Sequence, residues 1–375
     1  MKKLPLLLIA LMIWACDSPK QAAETKEPKP IQLDKLKMPK GFGIEIWATD
    51  VENARSMCLS PSGTLFVGTR DVGNVYALRD TSGDGKPDKK YIIASHLSMP
   101  NGVAFRNGSL YVAEVGQILR YDNIESKLGN PGKPKIIFKK YPDKEHHGWK
   151  YIAFGPDGKL YVPVGVPCNI CEPDEEIFGT ITRMNPDGTG MEIVQRGIRN
   201  SVGLTWRPGT EELWFTDNGR DWMGDDMPEC ELNVATHDGM HFGFPYCHQG
   251  DTLDTEFAGK HTCDEFEPPV QKMGAHVAPL GLEFYTGKQF PPNYLGQLFV
   301  ALHGSWNRTS PSGYRIECVN IENGKAVGHQ PFIEGWLGED GTPWGRPVDI
   351  EQLPDGSMLI SDDFAGVIYR VFYKG

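Results

Sequence analysis

The chain repeats one pattern of apolar and polar positions, and that pattern predicts β-hairpins. Each copy is a short apolar strand, a turn that contains glycine, and a second strand of aromatic and β-branched residues. The turn residues supply the positive φ and the side-chain hydrogen bonds that a tight hairpin needs. The six copies are residues 57–67, 102–112, 151–162, 203–215, 281–300 and 349–360.

A third strand follows most copies, which makes each unit a meander. These third strands are predicted at residues 74–78, 117–121, 180–184, 314–316 and 367–371. One meander cannot bury its faces alone, so six similar units predict radial stacking. We therefore predict an all-β fold, a six-bladed β-propeller with four-stranded antiparallel blades, in which residues 43–47 supply the outer strand that closes the last blade. The alternative is a two-sheet sandwich, which six similar units disfavour.

The N-terminus predicts export. Lys2 and Lys3 precede an apolar run from residue 4 to residue 15, which is typical of a secretory signal and too short to span a bilayer. Residues 13–16 resemble a bacterial lipoprotein cleavage box, although Trp14 stands where a small residue is usual. We expect a lipid-anchored protein of the bacterial cell envelope that meets the membrane surface only through acylated Cys16. The alternative is plain secretion without Cys16.

These signals divide the chain into a signal peptide (residues 1–15), a lipidated cysteine with a flexible tether (16–40) and a propeller domain (41–375). The whole chain carries a net charge of −11, and removing the two lysines of the signal leaves 36 basic against 49 acidic residues. An acidic surface argues against nucleic acid as a partner.

The cysteines agree with an oxidising compartment, where disulfides persist. We expect a local bridge between Cys168 and Cys171, and a second bridge between Cys247 and Cys263. Two other cysteines, at positions 58 and 318, lie in apolar runs and are expected to be buried thiols. Seven cysteines follow Cys16, so at least one is free.

Strand direction predicts where the chemistry lies. Antiparallel strands place the start of the first strand and the end of the second strand of each blade at the same edge. Six polar clusters occupy those positions, so we expect one polar site at the axis. The clusters are residues 146–149, 199–201, 217–221, 303–308, 344–347 and 362–363.

The content of these clusters suits an anionic ligand. Arg199, Arg220, Arg308 and Arg346 carry planar guanidinium groups that match carboxylates. A histidine among cationic neighbours is suited to accept a proton near neutral pH.

On these residues the chain resembles the quinoprotein glucose/sorbosone dehydrogenases, six-bladed propellers that bind pyrroloquinoline quinone and calcium. The resemblance covers about residues 41–373 and is nearest to the L-sorbosone dehydrogenase branch through 217–222 and 244–247. Further anchors are His147 ahead of 154–157, the run 197–200 before 203–204, and 231–233 before 242–245.

The resemblance implies a role for each matching residue. His147 is expected to be the general base, and Arg199 to contact the quinone and stabilise charge on its oxygens. Further cofactor contacts are expected from Asn200, Asn218, Arg308 and Arg346. Calcium is expected on the carbonyls of Gly219 and Arg220.

Two positions depart from the family pattern. Val166 stands where sugar-oxidising relatives commonly carry an aspartate near the catalytic histidine, and Cys230-Glu231 replaces an acidic pair. Both changes reduce the orienting charge around His147. Candidates to replace it are His146, Asp217 and Glu231.

The predicted function is oxidation of an aldose or sorbosone-like sugar, with hydride transfer to the quinone. The electrons are expected to pass to a quinone or cytochrome acceptor. Two alternatives remain: a calcium-dependent sugar lactonase, and a non-catalytic propeller that binds a ligand.

Overall fold

A computed structural model describes residues 30–375 and confirms the six-bladed propeller. Its strands in chain order are β1 Phe42–Ala48, β2 Ala54–Leu59, β3 Leu65–Thr69, β4 Val75–Arg79, β5 Lys89–Ala94, β6 Gly102–Arg106, β7 Ser109–Ala113, β8 Ile118–Tyr121, β9 Lys135–Phe138, β10 Ala153–Phe154, β11 Leu160–Val164, β12 Thr180–Met184 and β13 Glu192–Arg196. They continue as β14 Leu204–Trp206, β15 Leu213–Asp217, β16 Glu229–Ala235, β17 Cys247–His248, β18 Thr252–Leu253, β19 Gln271–Ala275, β20 Pro279–Phe284, β21 Leu298–Leu302, β22 Arg315–Glu322, β23 Lys325–Glu334, β24 Pro347–Gln352, β25 Met358–Asp362 and β26 Val367–Tyr373. Short 3-10 helices are Leu33–Lys35, Ile124–Ser126, Thr255–Phe257, Cys263–Glu265 and Pro292–Tyr294.

Each blade is one four-stranded antiparallel sheet. In order, the blades are β2–β5, β6–β9, β10–β13, β14–β16 with β19, β20–β23, and β24–β26 with β1. The first strands contact one another around the axis, as β2 does with β6 and β24, and β20 with β14 and β24. The turn residues keep each hairpin tight, as at Gly63 and Gly158, whose φ angles are +85° and +79°.

The ring closes as the sequence predicts. β1 pairs antiparallel with β26, from Phe42 opposite Tyr373 to Ala48 opposite Ile368. The N-terminal strand thus completes a blade whose other strands are C-terminal. Phe42 also packs edge-to-face against Phe290 and Phe332 of blade five, with ring centroids 4.8 and 5.0 Å away. The backbone hydrogen bonds between β1 and β26 therefore hold the two ends of the ring together.

The segment before β1 differs from the expected tether. Leu36 is buried in the core beside blades five and six, and Ile31, Leu33 and Met38 pack against that core. The backbone of Lys37 exchanges two hydrogen bonds with Glu334 at the end of β23. Residues 31–40 are therefore part of the folded domain, because their apolar side chains have a surface to cover.

The predicted signal peptide, Cys16 and the rest of the tether lie outside the described residues. Within residues 30–375, no helix has the length and apolar character needed to cross a bilayer.

Both expected disulfides are present. Cys168 bonds Cys171, and Cys247 bonds Cys263 across the excursion between β16 and β19. The free thiols in residues 30–375 are Cys58, Cys230 and Cys318. Cys318 is buried as expected, whereas Cys58 is half-buried.

Acidic side chains lie on the first strands of blades five and six, away from the polar loops. Burial and the charge of Asp349 raise the pKa of Glu283 to about 8. Burial raises the pKa of Asp349 to about 7, although its carboxylate accepts a hydrogen bond from the Met57 amide at 2.7 Å. These carboxyls bind protons more tightly in the folded protein than in the unfolded chain.

The melting temperature is therefore expected to fall as the pH rises from 6 to 9. A raised carboxyl pKa stabilises the fold fully below the unfolded value, about 4.3, and this contribution is lost as the pH rises through the folded value. Over that pH range, the melting temperature of the Glu283→Gln variant should fall by roughly 1–2 °C less than that of the unaltered protein. Thermal unfolding at several pH values tests this, with Glu322→Gln at an exposed position as the control. An unchanged pH slope in Glu283→Gln would contradict the expectation.

Candidate functional site

A cavity of about 350 Å³ is formed by the loops that enter first strands and leave second strands. All six predicted polar clusters contribute to its wall, so they lie on one face of the propeller, as strand direction predicts. The lining residues are Arg55, Arg70, His147, Trp149, Arg199, Asn200, Asn218, Gly219, Asp221, Cys230, His276, Ala278, Leu280, His303, Gly304, Trp306, Arg346 and Asp363.

His147 is held in a geometry that favours a base. Its side chain is buried, and its Nδ1 lies 2.9 Å from the carbonyl oxygen of Val166. A carbonyl only accepts, so Nδ1 carries the proton and the neutral ring has its lone pair on Nε2. Burial lowers the pKa of His147 well below its usual value, and the charges of Arg199 and His146 lower it further. The imidazole is therefore neutral and able to accept a proton at physiological pH.

The backbone conformation at His147 allows this residue to pack closely against Gly165. His147 has a φ of +51°, a left-handed conformation that is rare outside glycine and is often found at functional sites. A Cβ atom on Gly165 would lie 2.7 Å from both the Cβ and the carbonyl oxygen of His147. Lys150 donates to the Gly148 carbonyl at 3.0 Å and ties the following turn. Glycine at 165 is therefore required for the histidine to reach the cavity wall.

Arg199 is fixed by hydrogen bonds from three of its nitrogens. It donates to the carbonyl oxygen of Asn169 at 2.9 Å, to the side-chain oxygen of Asn169 at 2.9 Å and to the carbonyl oxygen of Asn218 at 3.0 Å. Asp221 lies 3.6 Å from the guanidinium. The bridge between Cys168 and Cys171 flanks Asn169, so the local disulfide supports the arginine.

Asp217 positions the loop that carries Arg199 and Asn200. Its two carboxylate oxygens accept the backbone N–H groups of Arg199 at 2.8 Å and Asn200 at 2.6 Å. Burial raises the pKa of Asp217 to about 6 despite these bonds. The Asn218 side chain donates to the Asn200 carbonyl at 2.9 Å. Asn200, Asn218 and Gly219 all line the cavity, and their contacts with a cofactor or metal stay predictions.

A charged network on blades one, five and six also lines the cavity. Arg346 donates to the carbonyl oxygens of His303 and Gly304 at 3.2 and 2.9 Å. Asp363 accepts from Arg55 at 2.8 Å and pairs with His303 Nε2 at 2.9 Å. Burial acts to raise the pKa of Asp363, but His303 and Arg55 outweigh it and hold that pKa well below its usual range. Burial also lowers the pKa of His303 to about 4, so Arg346 and Arg55 carry the positive charge here.

The other two predicted arginines point elsewhere. Arg220 is buried against Asp254 at 2.6 Å and Glu256 at 2.9 Å, where it fastens the disulfide-bonded excursion. Arg308 donates to the carbonyl oxygen of Asp225 and to the side chain of Asp226, at 2.6 and 2.8 Å. Neither side chain lines the cavity. The prediction that the Arg220 carbonyl binds calcium concerns its backbone and stays a prediction.

The position of Val166, where relatives commonly carry an aspartate, still provides a hydrogen-bond acceptor for His147. The expected aspartate is replaced in function by the Val166 main-chain carbonyl, which fixes the tautomer without a charge. The suggested substitutes act elsewhere: Asp217 on the Arg199 loop, and Glu231 on the amide of Gln249 at 2.6 Å. His146 lies beside His147, with ring centroids 4.0 Å apart and ring planes tilted by 50°.

The donor set fits a planar ligand that carries several carboxylates. Arg55, Arg70, Arg199 and Arg346 line the cavity against two carboxylates, so the wall is net positive although the protein is acidic. Such a positive wall within an acidic protein favours an anionic cofactor. Residues 30–375 bring no three His, Cys, Asp or Glu side chains together in a metal-binding arrangement. A calcium ion here would rest on backbone carbonyls and on oxygens of the cofactor.

Arg55, Arg70 and His276 were missed by sequence reasoning, although the signal was present. Arg55 lies at the start of β2, Arg70 follows β3, and His276 precedes β20. All three enter a first strand or leave a second strand, which are the positions that strand direction places on the cavity face.

Comparisons with known proteins agree with this architecture. A family model described as TrAA12-like matches residues 36–334. An uncharacterized protein of Borreliella burgdorferi is 36% identical over 355 residues, covering 90% of this chain and 91% of that protein. A pyrroloquinoline quinone-dependent pyranose dehydrogenase of Coprinopsis cinerea is 24% identical over 232 residues, which cover 48% of this chain and 31% of that enzyme. The calcium structure of a Trichoderma reesei AA12 family enzyme superposes with a TM-score of 0.78 at 20% identity, covering 90% and 97% of the two chains.

Proposed function

This chain belongs to the TrAA12-like family, and from that premise we propose that it is a quinone-dependent sugar dehydrogenase. The observation that carries the proposal is the neutral, oriented His147 on the wall of a cavity lined by four arginines. The pyranose dehydrogenase of Coprinopsis cinerea, which uses pyrroloquinoline quinone, supports that cofactor and a sugar substrate. The calcium form of the Trichoderma reesei enzyme supports calcium.

In this proposal His147 removes the proton from the substrate hydroxyl through Nε2. The Val166 carbonyl keeps Nδ1 protonated, so the ring need not rotate or change tautomer before it accepts the proton. When bound, the quinone supplies the acceptor for the hydride that leaves the carbon bearing that hydroxyl group. The substrate thereby loses one proton and one hydride, and its alcohol carbon becomes a carbonyl.

Arg199 and Arg346 both line the cavity, and in this proposal both contact the cofactor. Both are immobilised by hydrogen bonds to backbone carbonyls, so their orientation is set before the ligand binds. Asn200 and Asn218 add polar contacts, and the carbonyls of Gly219 and Arg220 are our candidates for calcium ligands. An aldose or sorbosone-like substrate, a quinone or cytochrome acceptor, and lipid anchoring at the cell envelope complete the proposal.

The two alternatives have less support. A sugar lactonase would hold calcium on side-chain carboxylates, which residues 30–375 do not cluster in that way. A propeller that only binds a ligand would not need an oriented histidine, whereas the Val166 carbonyl orients this one.

Reconstitution tests the proposal. The purified protein is mixed with Ca²⁺ and pyrroloquinoline quinone, quinone binding is measured by calorimetry, and dye reduction is followed across a panel of aldoses and ketoses. We expect saturable binding, and dye reduction that requires the quinone. Absence of quinone binding would overturn the proposal, and tight binding without turnover of any sugar would favour the ligand-binding alternative.

Two arginine variants distinguish a residue that lines the cavity from one that lies outside it. Arg346→Ala is expected to weaken quinone binding about tenfold or more, because it removes a charge-assisted contact. Arg308→Ala should change the dissociation constant less than about threefold, since its guanidinium is bound to Asp225 and Asp226. Calorimetric titration of both variants measures the difference. Equal weakening would place Arg308 in the cofactor site after all.

A further inference from the structure

Two tryptophans are exposed beside the cavity, and the reaction proposed above does not use them. Trp306 is 69% exposed and Trp222 is 68% exposed, the highest fractions among the large apolar side chains of residues 30–375. Their rings meet edge-to-face, with centroids 5.6 Å apart and planes at 87°. Exposed aromatic surface of this kind marks a place where a ligand or partner is bound.

The two rings lie on neighbouring loops that are fastened to each other. The Asn307 side chain approaches Asp221 at 3.3 Å, Arg308 donates to the Asp225 carbonyl, and the Thr309 amide donates to the Asp225 carboxylate. One loop follows the second strand of blade four and the other follows that of blade five. The aromatic corner is therefore built before any ligand arrives, and Arg308 helps to fasten it.

The corner is continuous with the cavity. Trp306 lines the cavity, and so does Asp221, the residue before Trp222. A ligand seated against the two indoles would thus extend directly from a group held beside His147. The carboxylate of Asp221 lies at the junction and can accept hydrogen bonds from hydroxyl groups.

We infer that Trp222 and Trp306 form an aromatic subsite for a second sugar ring, so that the substrate is an oligosaccharide or glycoside of at least two units. This inference rests on the proposed function, which places the oxidised ring inside the cavity. Pyranose rings have apolar C–H faces and polar edges, and they match an indole face bordered by a carboxylate. Two rings at a right angle contact one face and one edge of such a sugar. A cavity of about 350 Å³ that also holds the cofactor leaves the second ring outside, against this corner.

Comparing sugars of different length tests the subsite. Initial rates are measured on D-glucose, cellobiose and cellotriose, and on maltose and maltotriose as a second linkage. In the Trp222→Ala variant the ratio of kcat/KM for the disaccharide to that for the monosaccharide should fall about tenfold. Trp222→Phe should keep most of the ratio, because it retains an aromatic face. Leu295→Ala, an exposed apolar position on another loop, is the matched control and should leave the ratio unchanged.

The outcomes distinguish this subsite from other roles. Equal losses on all sugars, or no loss on any, would overturn it. A change confined to the KM of the electron acceptor would overturn it as well and would assign the tryptophans to acceptor docking. If no sugar is oxidised, the proposed function fails, and the subsite is judged by quenching of tryptophan fluorescence with cellotriose. Quenching that is lost in Trp222→Ala would support a saccharide subsite, and absence of quenching in the unaltered protein would overturn it.

Discussion

Replacement of His147 by alanine is expected to reduce sugar oxidation by about 10²–10⁴-fold, while quinone affinity stays within a few fold. The expected loss is large because His147 is the group on the cavity wall whose lone pair is both oriented and unprotonated at neutral pH. The cofactor contacts we propose, Arg199 and Arg346, do not depend on the imidazole for their own hydrogen bonds. Single-turnover dye reduction and calorimetric quinone binding on the same sample measure the two quantities.

The pH profile provides a second readout of the same residue. Burial and the neighbouring Arg199 lower the pKa of His147, so the base is protonated only at acidic pH. Activity should therefore be flat through neutral pH and fall on the acid side. His146→Ala is the control: it removes a ring in contact with His147 and should cost less than about tenfold. Activity that survives in His147→Ala would show that His146 or a carboxylate is the base.

The fold was predictable because its signal is local and repeated. Turn residues such as Pro156-Asp157-Gly158 identify each hairpin in the sequence. Six copies of the same hairpin are compatible with only a few fold architectures. Closure by residues 43–47 followed from counting strands, and β1 pairs with β26 as expected. The packing of residues 31–38 was not predictable, because the Lys- and Pro-rich composition of the segment concealed Leu36, whose burial depends on a distant surface of blade five.

The site was predictable to the level of the loop but not of the side chain. Strand direction fixes which end of a blade a loop occupies, and all six polar clusters reach the cavity. It does not fix where a long side chain points. Arg220 and Arg308 turn toward acidic partners on neighbouring loops, and Arg55 and Arg70 supply the charge in their place. Those partners are remote in sequence, so no spacing rule reveals them.

The role of Val166 was beyond sequence reasoning for a different reason. A valine at position 166 indicates that the orienting acid is lost, because a prediction from residue type considers only the side chain. The group that orients His147 is the main-chain carbonyl, which every residue carries, and Gly165 creates the space that brings the two together. Backbone geometry therefore preserves a function that the residue type alone denies.

Arg199→Ala is expected to lower kcat by about 10²–10³-fold and to weaken quinone binding. The guanidinium is fixed next to the cavity before any ligand binds, so charge that develops there during the reaction meets a preorganised cation. The change also leaves the carbonyls of Asn169 and Asn218 without their donors, at a cost of about 1–3 kcal/mol for each group that stays buried. Turnover, quinone affinity and thermal unfolding should therefore all change.

Two further variants separate these effects. Arg199→Lys keeps the positive charge but loses the planar guanidinium. Its kcat should therefore be higher than that of Arg199→Ala, whereas the paired hydrogen bonds to Asn169 should stay lost. Asn169→Ala removes the support of the arginine without removing the charge, and it should lower the melting temperature more than it lowers kcat. If Arg199→Ala were to lose stability while retaining kcat, Arg199 would be a structural residue of the loop. The positive charge acting on the cofactor would then have to come from Arg346, Arg55 and Arg70, which share the cavity wall.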